Sequence, residues 1–331
     1  MKIPGRFLLL LIVLMLSVQG LSSCMTSTGT ENESKQRTFV PVDEVPALPD
    51  DLKLDQDGIP TLSVYDTTID EISDMDIETY VMGVVAGEMK NDWPLEALKA
   101  QAILARTFVL KFCDDKESKY DGADISTDVE EAQAYSYENI NDRVRQAVRD
   151  TSGQVMSEDG DFPYAWFHAH SGGMTELPSV ALDFKDDDPE YLKPVNSGDS
   201  PDAPESVQNW TAEFTKDEIV KAANDCGLDI KALESIKPGE KGASGRLATI
   251  LINGQSVSGP TFRIKIGANK LKSTLITSID VKDDKVIFKG KGFGHGVGMS
   301  QWGAYAMAEA GKSANQIVEY YFPSVDIVRL W

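Results

Sequence analysis

Glu88 directly follows Gly87 at a break between two helical patterns, so a carboxyl group projects from a joint. In the next pattern, residues 94–112, Lys99, Gln101 and Arg106 interrupt a helix that is apolar nearly all round, the mark of a buried helix. A carboxyl at such a joint can give or take a proton, and partial burial would tune it for that task. Lys99 and Arg106 are seven residues apart and share a side within about 20°, while Gln101 points roughly opposite. Buried cations need partners, because isolated charge in low dielectric is costly. Glu88 is one candidate partner; a plain buried ion pair with no catalytic role is the competing reading.

The three histidines are His168, His170 and His295. The first two stand i, i+2 in a β-like run, and all three together could form a zinc site. No Asp, Glu or Cys sits at a recognisable ligand spacing beside them, so no metal is expected. A serine triad is weaker still, since no Gly-x-Ser-x-Gly elbow exists. Glycines fall at every second position from 290 to 298 in "GKGFGHGVGMSQWGAYAMAEAGK". If extended, this run has one face without side chains, which lets another backbone or a ligand approach closely. It is no phosphate loop, because the Gly-Lys-Ser/Thr ending is missing.

The elements that must position these groups follow from local signals. Residues 59–66 read as a strand, and Asp76 caps a helix that Gly87 ends. Pro94 opens the helix carrying Lys99, Gln101 and Arg106. Residues 114–141 are acidic and loop-like, and 142–151 are helical. The stretch "GQVMSEDGDFPYAWFHAHSGG" reads as a hairpin turning at Asp159-Gly160. Residues 189–205, rich in Pro, Asp and Ser, mark a boundary. A short helix (216–226) then leads into a β-rich stretch, 236–288, with turns at Asn253-Gly254 and Asp283-Asp284. Ser300 caps a further helix and Gly311 ends it. The expected class is α+β in two lobes: a helical part (about 62–190) with a buried central helix, and a β-rich part (about 205–290). The Gly-rich loop and terminal helices (290–331) complete it.

With 331 residues, 41% apolar and 8% aromatic, the chain can form one large domain or two lobes. Its formal net charge of −21 argues against nucleic acid, which is held by clustered Lys and Arg. Lys2 and Arg6 precede an uncharged run, residues 7–23, that has the layout of an export signal and ends in "LSSC". That ending resembles a bacterial lipobox, so residues 1–23 are expected to be removed and Cys24 to carry lipid. An ordinary signal peptide is the plainer alternative. Residues 24–56 read as a flexible tether, placing the mature protein on the outer face of the cell membrane. Cys113 and Cys226 remain, paired or reduced.

"YVMGVVAGEM", "WPLEALKAQAILARTF", "FHAHSGGMTE" and "GFGHGVGMSQWGAYAMAEAG" together resemble the SpoIID/LytB family of cell-wall proteins, over about residues 62–330 and in the right order. The resemblance implies a lytic transglycosylase with no cofactor. Such an enzyme cuts peptidoglycan glycan strands between N-acetylmuramic acid and N-acetylglucosamine, leaving 1,6-anhydro-muramyl ends and favouring strands stripped of stem peptides. It implies Glu88 as the catalytic acid. Lys99, Gln101, Arg106, His168, Ser171, Gly172, His295, Gly296, Ser300, Gln301 and Trp302 match its other motif positions, as groups that bind or position the substrate. Some members carry Cys and His zinc ligands after the catalytic helix; residues 114–136 here hold neither. Glycoside cleavage usually needs two carboxylates. An anhydro-forming enzyme needs one, because the sugar's own tethered 6-hydroxyl is the nucleophile. A non-catalytic glycan binder that enhances a cell-wall amidase is the alternative, and such an amidase is the protein partner the resemblance suggests.

Overall fold

Asp76 accepts from the Thr79 amide and starts α1 (Ile77–Glu88), where the sequence predicts it. The end of α1 differs from expectation. Helical structure continues through Gly87 to Glu88. Gly87 is glycine because a Cβ there would sit 2.6 Å from the carbonyl oxygen of Ala134; at Gly83 a Cβ would sit 2.1 Å from the Tyr135 ring. One face of α1 is thus bare so that the 134–136 backbone can lie on it, and the Ser136 amide donates to the Gly83 carbonyl.

The structure, a computed structural model, describes residues 45–331. α2 (Leu95–Asp115) is the central helix. It packs against α1, α3 (Asp142–Asp150), and the helices Gln301–Glu309 and Ala314–Tyr321. Ala97, Leu98, Ile103, Leu104 and Val109 on it are fully buried. Covering on several sides explains why its sequence is apolar nearly all round. β1 (Lys53–Leu54), β2 (Pro60–Asp66) and β3 (Glu71–Asp76) pair antiparallel in that order, and β4 (Ile125–Ser126) joins β2 in parallel. The fold begins earlier than the tether reading allows. Leu52 is buried, Val45 and Leu48 pack on the same core, and β1 pairs with the start of β2. The export signal, Cys24 and the tether up to residue 44 lie outside the described residues.

A second core gathers Trp210, Phe214, Ile219, Leu247, Phe262 and Phe288. Strands Asn209–Thr215, Ile276–Lys282 and Lys285–Lys291 form one sheet over it. Thr249–Ile252 and Gln255–Ser258 form a hairpin on the Asn253-Gly254 turn, with both turn residues at positive φ, the geometry such two-residue turns require. A helix, Gly259–Ile266, interrupts the stretch read as β-rich. The class is α+β, as the sequence predicts. Among the described residues, no helix is long and apolar enough to cross a membrane.

Two expectations are overturned. The runs around Asp159-Gly160 turn there, but do not form a hairpin ladder. Gln154–Ser157 pairs with the C-terminal Asp326–Arg329, and Phe167–His168 pairs in parallel with Met299–Ser300. The alternating glycines are not an extended strand either. Gly292, Gly294, Gly296 and Gly298 all have positive φ, a region that L side chains rarely enter. Their missing side chains admit protein, not open space. A Cβ at Gly298 would meet the Trp166 carbonyl oxygen at 2.0 Å, and one at Gly296 the Arg246 guanidinium at 2.2 Å.

Candidate functional site

Glu88 ends α1, partly exposed. Its Oε1 accepts from the Ala134 amide at 2.7 Å and its Oε2 from Gln301 Nε2 at 3.3 Å. Burial raises its pKa above the ordinary carboxylate value, against these two hydrogen bonds, which favour the charged form. Gln301 opens the helix that Ser300 caps through the Gly303 amide. Gln301 Nε2 also lies 3.5 Å from Gln101 Oε1. Gln101 is fully buried, and its own Nε2 has no partner among the described residues. Of the three polar residues on α2, Gln101 is therefore the one that reaches the acid, through Gln301.

Lys99 and Arg106 face the other way, as their seven-residue spacing requires. Arg106 has no exposed surface; it grips both carboxyl oxygens of Glu78 at 2.5 and 3.2 Å and donates to the Gln154 carbonyl. Glu78 also accepts from Ser152, the Gly153 amide and the Trp331 indole. Lys99 Nζ bridges Glu96 at 2.8 Å and Asp150 at 3.0 Å. The plain ion-pair reading describes both cations, and Arg106, with no exposed surface, is closed off from direct contact with sugar.

Asp199, inside the segment read as a boundary, joins several expected residues. Its carboxylate accepts from Ser171 Oγ and Ser300 Oγ, both at 2.5 Å. Ser171 Oγ also contacts Ser197 Oγ and accepts from the Gly173 amide. His170 Nδ1 stands 3.4 Å from Asp199 and accepts from the Gly172 amide at 3.0 Å. Burial pushes the Asp199 carboxyl up, but His170 and the Ser171 and Ser300 hydroxyls hold it below the ordinary range. So Asp199 ties the "SGG" turn to the cap of the Gln301 helix. Arg246 locks the same region from the second core, donating to the carbonyls of Ser171 at 2.6 Å and Met174 at 2.9 Å. Sequence reading missed Asp199, Arg246 and Ala134. The only local signal was the Gly83/Gly87 spacing, which announces a close neighbour without naming it.

His168 and His295 have ring centroids 5.7 Å apart. Burial drives His168 down to about 3 and His295 well below its ordinary value, so both rings are neutral at physiological pH. Among the described residues, no group of three His, Cys, Asp or Glu side chains is placed to hold a metal, and Cys113 and Cys226 are both unbridged.

Trp302, next to Gln301, is only 7% exposed. Its ring lies 4.5 Å from that of Trp93 and 5.2 Å from that of Tyr305. These aromatics help line a cleft of about 370 Å³, together with Lys90, Arg143, Asp92, Asp202 and Glu309.

The chain is thus α+β, with a partly enclosed carboxylic acid at the end of α1 that is hydrogen-bonded to Ala134 and Gln301. A family model described as SpoIID, stage II sporulation protein, matches residues 65–157, which hold α1, Glu88 and α2. A second, Domain of unknown function (DUF8618), matches residues 184–298. Stage II sporulation protein D of Bacillus subtilis is 30% identical over 283 residues, covering 81% of this chain and 78% of that protein. An uncharacterized protein of Brachyspira hyodysenteriae is 32% identical over 272 residues, 80% of this chain and 70% of its own length. The amidase enhancer of B. subtilis is 30% identical over 291 residues; the match spans 74% of this chain but 40% of that protein. The chain belongs to the SpoIID/LytB family.

Proposed function

We propose that the protein is a lytic transglycosylase of peptidoglycan, with Glu88 as its one catalytic carboxyl group. The observation that carries this reading is the setting of Glu88: its carboxyl accepts from the Ala134 amide at 2.7 Å and from Gln301 Nε2 at 3.3 Å, and burial raises its pKa above the ordinary carboxylate value. A hydrolase of the usual kind needs two carboxyl groups across the bond. A single group suffices where the muramyl 6-hydroxyl attacks its own anomeric carbon. Glu88, protonated, donates to the departing glycosidic oxygen; as carboxylate it then takes the 6-hydroxyl proton. The glycosidic bond breaks as the anhydro bond forms, and the acid is regenerated. Gln301, held by Gln101, orients Oε2 and stabilises the carboxylate between the two steps.

Incubation of the purified protein with amidase-stripped glycan strands, followed by mass spectrometry, tests the reading. Anhydro-muramyl ends are expected; ordinary reducing ends would overturn it. A second reading rests on the similarity to a protein named amidase enhancer: intact strands, retained on the protein and cut faster by an added amidase, would favour a binding role. We also propose anchorage through a lipidated Cys24. Cys24→Ala should release the protein from membranes, and unchanged fractionation would refute that.

A further inference from the structure

The Ala134 amide that meets Glu88 Oε1 at 2.7 Å belongs to a loop, not to a helix or strand. An amide can orient a carboxyl only as well as its own backbone is held. Downstream, the loop is fixed on α1. The Ser136 amide donates to the Gly83 carbonyl, and glycines 83 and 87 leave room for the Tyr135 ring and the Ala134 peptide. Upstream, no helix or strand lies between β4 and Ala134. There the Asp128 carbonyl accepts from the Glu131 and Ala132 amides and closes a turn, which side chains must anchor.

Glu131 is half-buried and reaches back to the chain that leaves α2. Its Oε1 accepts from the Lys119 amide at 2.6 Å, and its two oxygens stand 3.0 and 3.1 Å from Ser118 Oγ, which donates to them. Asp128 adds a second link. Its Oδ2 accepts from Lys119 Nζ at 2.7 Å and from the Tyr120 hydroxyl at 2.8 Å, and the Tyr120 ring stacks on Tyr65 of β2 with centroids 3.8 Å apart. Lys119 is exposed, so its ion pair contributes little. Glu131 is the better anchor, because it holds a backbone amide and stands three residues before Ala134. Glu88 and Glu131 both act on the Tyr80 hydroxyl of α1, which burial, first of all, raises. Burial likewise raises Tyr135 and Cys113. These three neighbours are therefore neutral through the range in which carboxyls titrate.

We propose that Glu131 is a positioning residue for Glu88: by tying the 128–132 turn to the exit of α2, it holds the Ala134 amide on the acid. The inference rests on Glu88 as the acid of the proposed reaction, but its first test needs no turnover. NMR follows the Ala134 amide proton of the purified protein against pH. An amide bound to a carboxyl moves downfield when that carboxyl ionises, because the charged acceptor makes the stronger bond. Wild type should show this move, and Glu88→Gln should not. Glu131→Ala should shrink it, and hydrogen exchange at Ala134 should quicken about tenfold or more, the range of one charged hydrogen bond. Glu131→Gln, whose oxygen still accepts from Lys119 and Ser118, should keep both readouts at wild-type values. Ser118→Ala removes one donor only and should give a smaller loss, which keeps the test open if Glu131→Ala does not fold; circular dichroism checks the fold. An unchanged move in the folded alanine variants, or a loss in Glu131→Gln as large as in Glu131→Ala, overturns the proposal. Turnover is scored separately on stripped strands. There Glu131→Ala should lose about tenfold in kcat with KM held, short of the about 10²-fold that a 1 Å misplacement costs. A wild type whose Ala134 amide follows Glu88 but which makes no anhydro product would refute the transglycosylase reading alone.

Discussion

Replacing Glu88 by Gln is the sharpest perturbation. The amide keeps the carboxyl's shape. Its oxygen can still accept from the Ala134 amide, but its NH₂ then faces Gln301 Nε2, a donor against a donor. Flipping Gln301 presents its oxygen to the new amide, and flipping Gln101 turns the currently unpartnered Nε2 toward that oxygen. Two amide flips therefore restore the hydrogen bonds, and the fold should survive. What is lost is a transferable proton. One general acid–base group contributes about 10²–10⁴-fold, or about 2.7–5.5 kcal/mol of barrier. Because Glu88 serves both half-steps, the upper end is expected. The stability effect has a definite sign. A carboxyl whose folded pKa is raised contributes stability that is fully present below its unfolded value, about 4.3. That stability is lost as pH rises through the folded pKa. Glu88→Gln should therefore melt above wild type at neutral pH, with the gap closing below about pH 4. The assay is anhydro-muramyl product per unit time from stripped strands, beside calorimetric melting at both pH values. A variant retaining more than about a tenth of wild-type rate, or one melting below wild type at neutral pH, would refute this account of Glu88.

Four further outcomes follow from the same geometry. Glu78→Gln leaves Arg106 buried without its counter-charge and should cost about 3–5 kcal/mol in denaturant unfolding; a near-neutral effect would mean the Glu78–Arg106 pair is not what Arg106 depends on. Gly296→Val forces a side chain into the Arg246 guanidinium at positive φ, so it should destabilise by at least about 1–3 kcal/mol; unchanged melting would contradict the packing of that loop. Asp199→Asn keeps one of the two oxygens that accept from Ser171 and Ser300 and replaces the other by an amide donor, so it should cost about 1–3 kcal/mol, whereas unchanged unfolding would make the Asp199 charge dispensable to the cap. The wild-type rate should fall as pH rises above an apparent pKa higher than that of an ordinary carboxyl, because the acid form of Glu88 is required and burial raises its pKa; Glu96→Gln should leave this profile in place, since Glu96 meets Lys99 and the Ala314 amide.

Much of the scaffold was legible in the sequence because its signals act within a turn or two. Asp76 and Ser300 cap the helices that follow them, since a side-chain oxygen and an amide two or three residues on meet wherever the chain turns helical. The buried, many-sided contact of α2 could be read from its apolar periphery, and the turns at Asn253 and Asp283 from their residue types. The family blocks marked Glu88 and Gln301 as important without saying that they touch. That contact spans 213 residues, and nothing local encodes it.

The tertiary structure decided which charged and polar groups meet. Lys99, Gln101 and Arg106 look alike as polar interruptions of one helix, yet packing sends Gln101 toward the acid and the two cations to Glu96, Asp150 and Glu78. Helical geometry gave the opposite directions but not the partners, which come from elements placed by the core. The same holds for the alternating glycines. Their period of two suggests a strand, but a period records only repetition, and the positive φ values arise because Arg246 and the backbone around Trp166 and His168 occupy the space. Asp199 lay in a segment whose composition reads as a linker, and became a buried hub once Ser171 and Ser300 closed on it. Short-range signals fix helices and turns because their hydrogen bonds close locally. A site assembled from residues 88, 134, 199 and 301 exists only when hydrophobic packing has brought distant segments together and left their polar groups no solvent to bond instead.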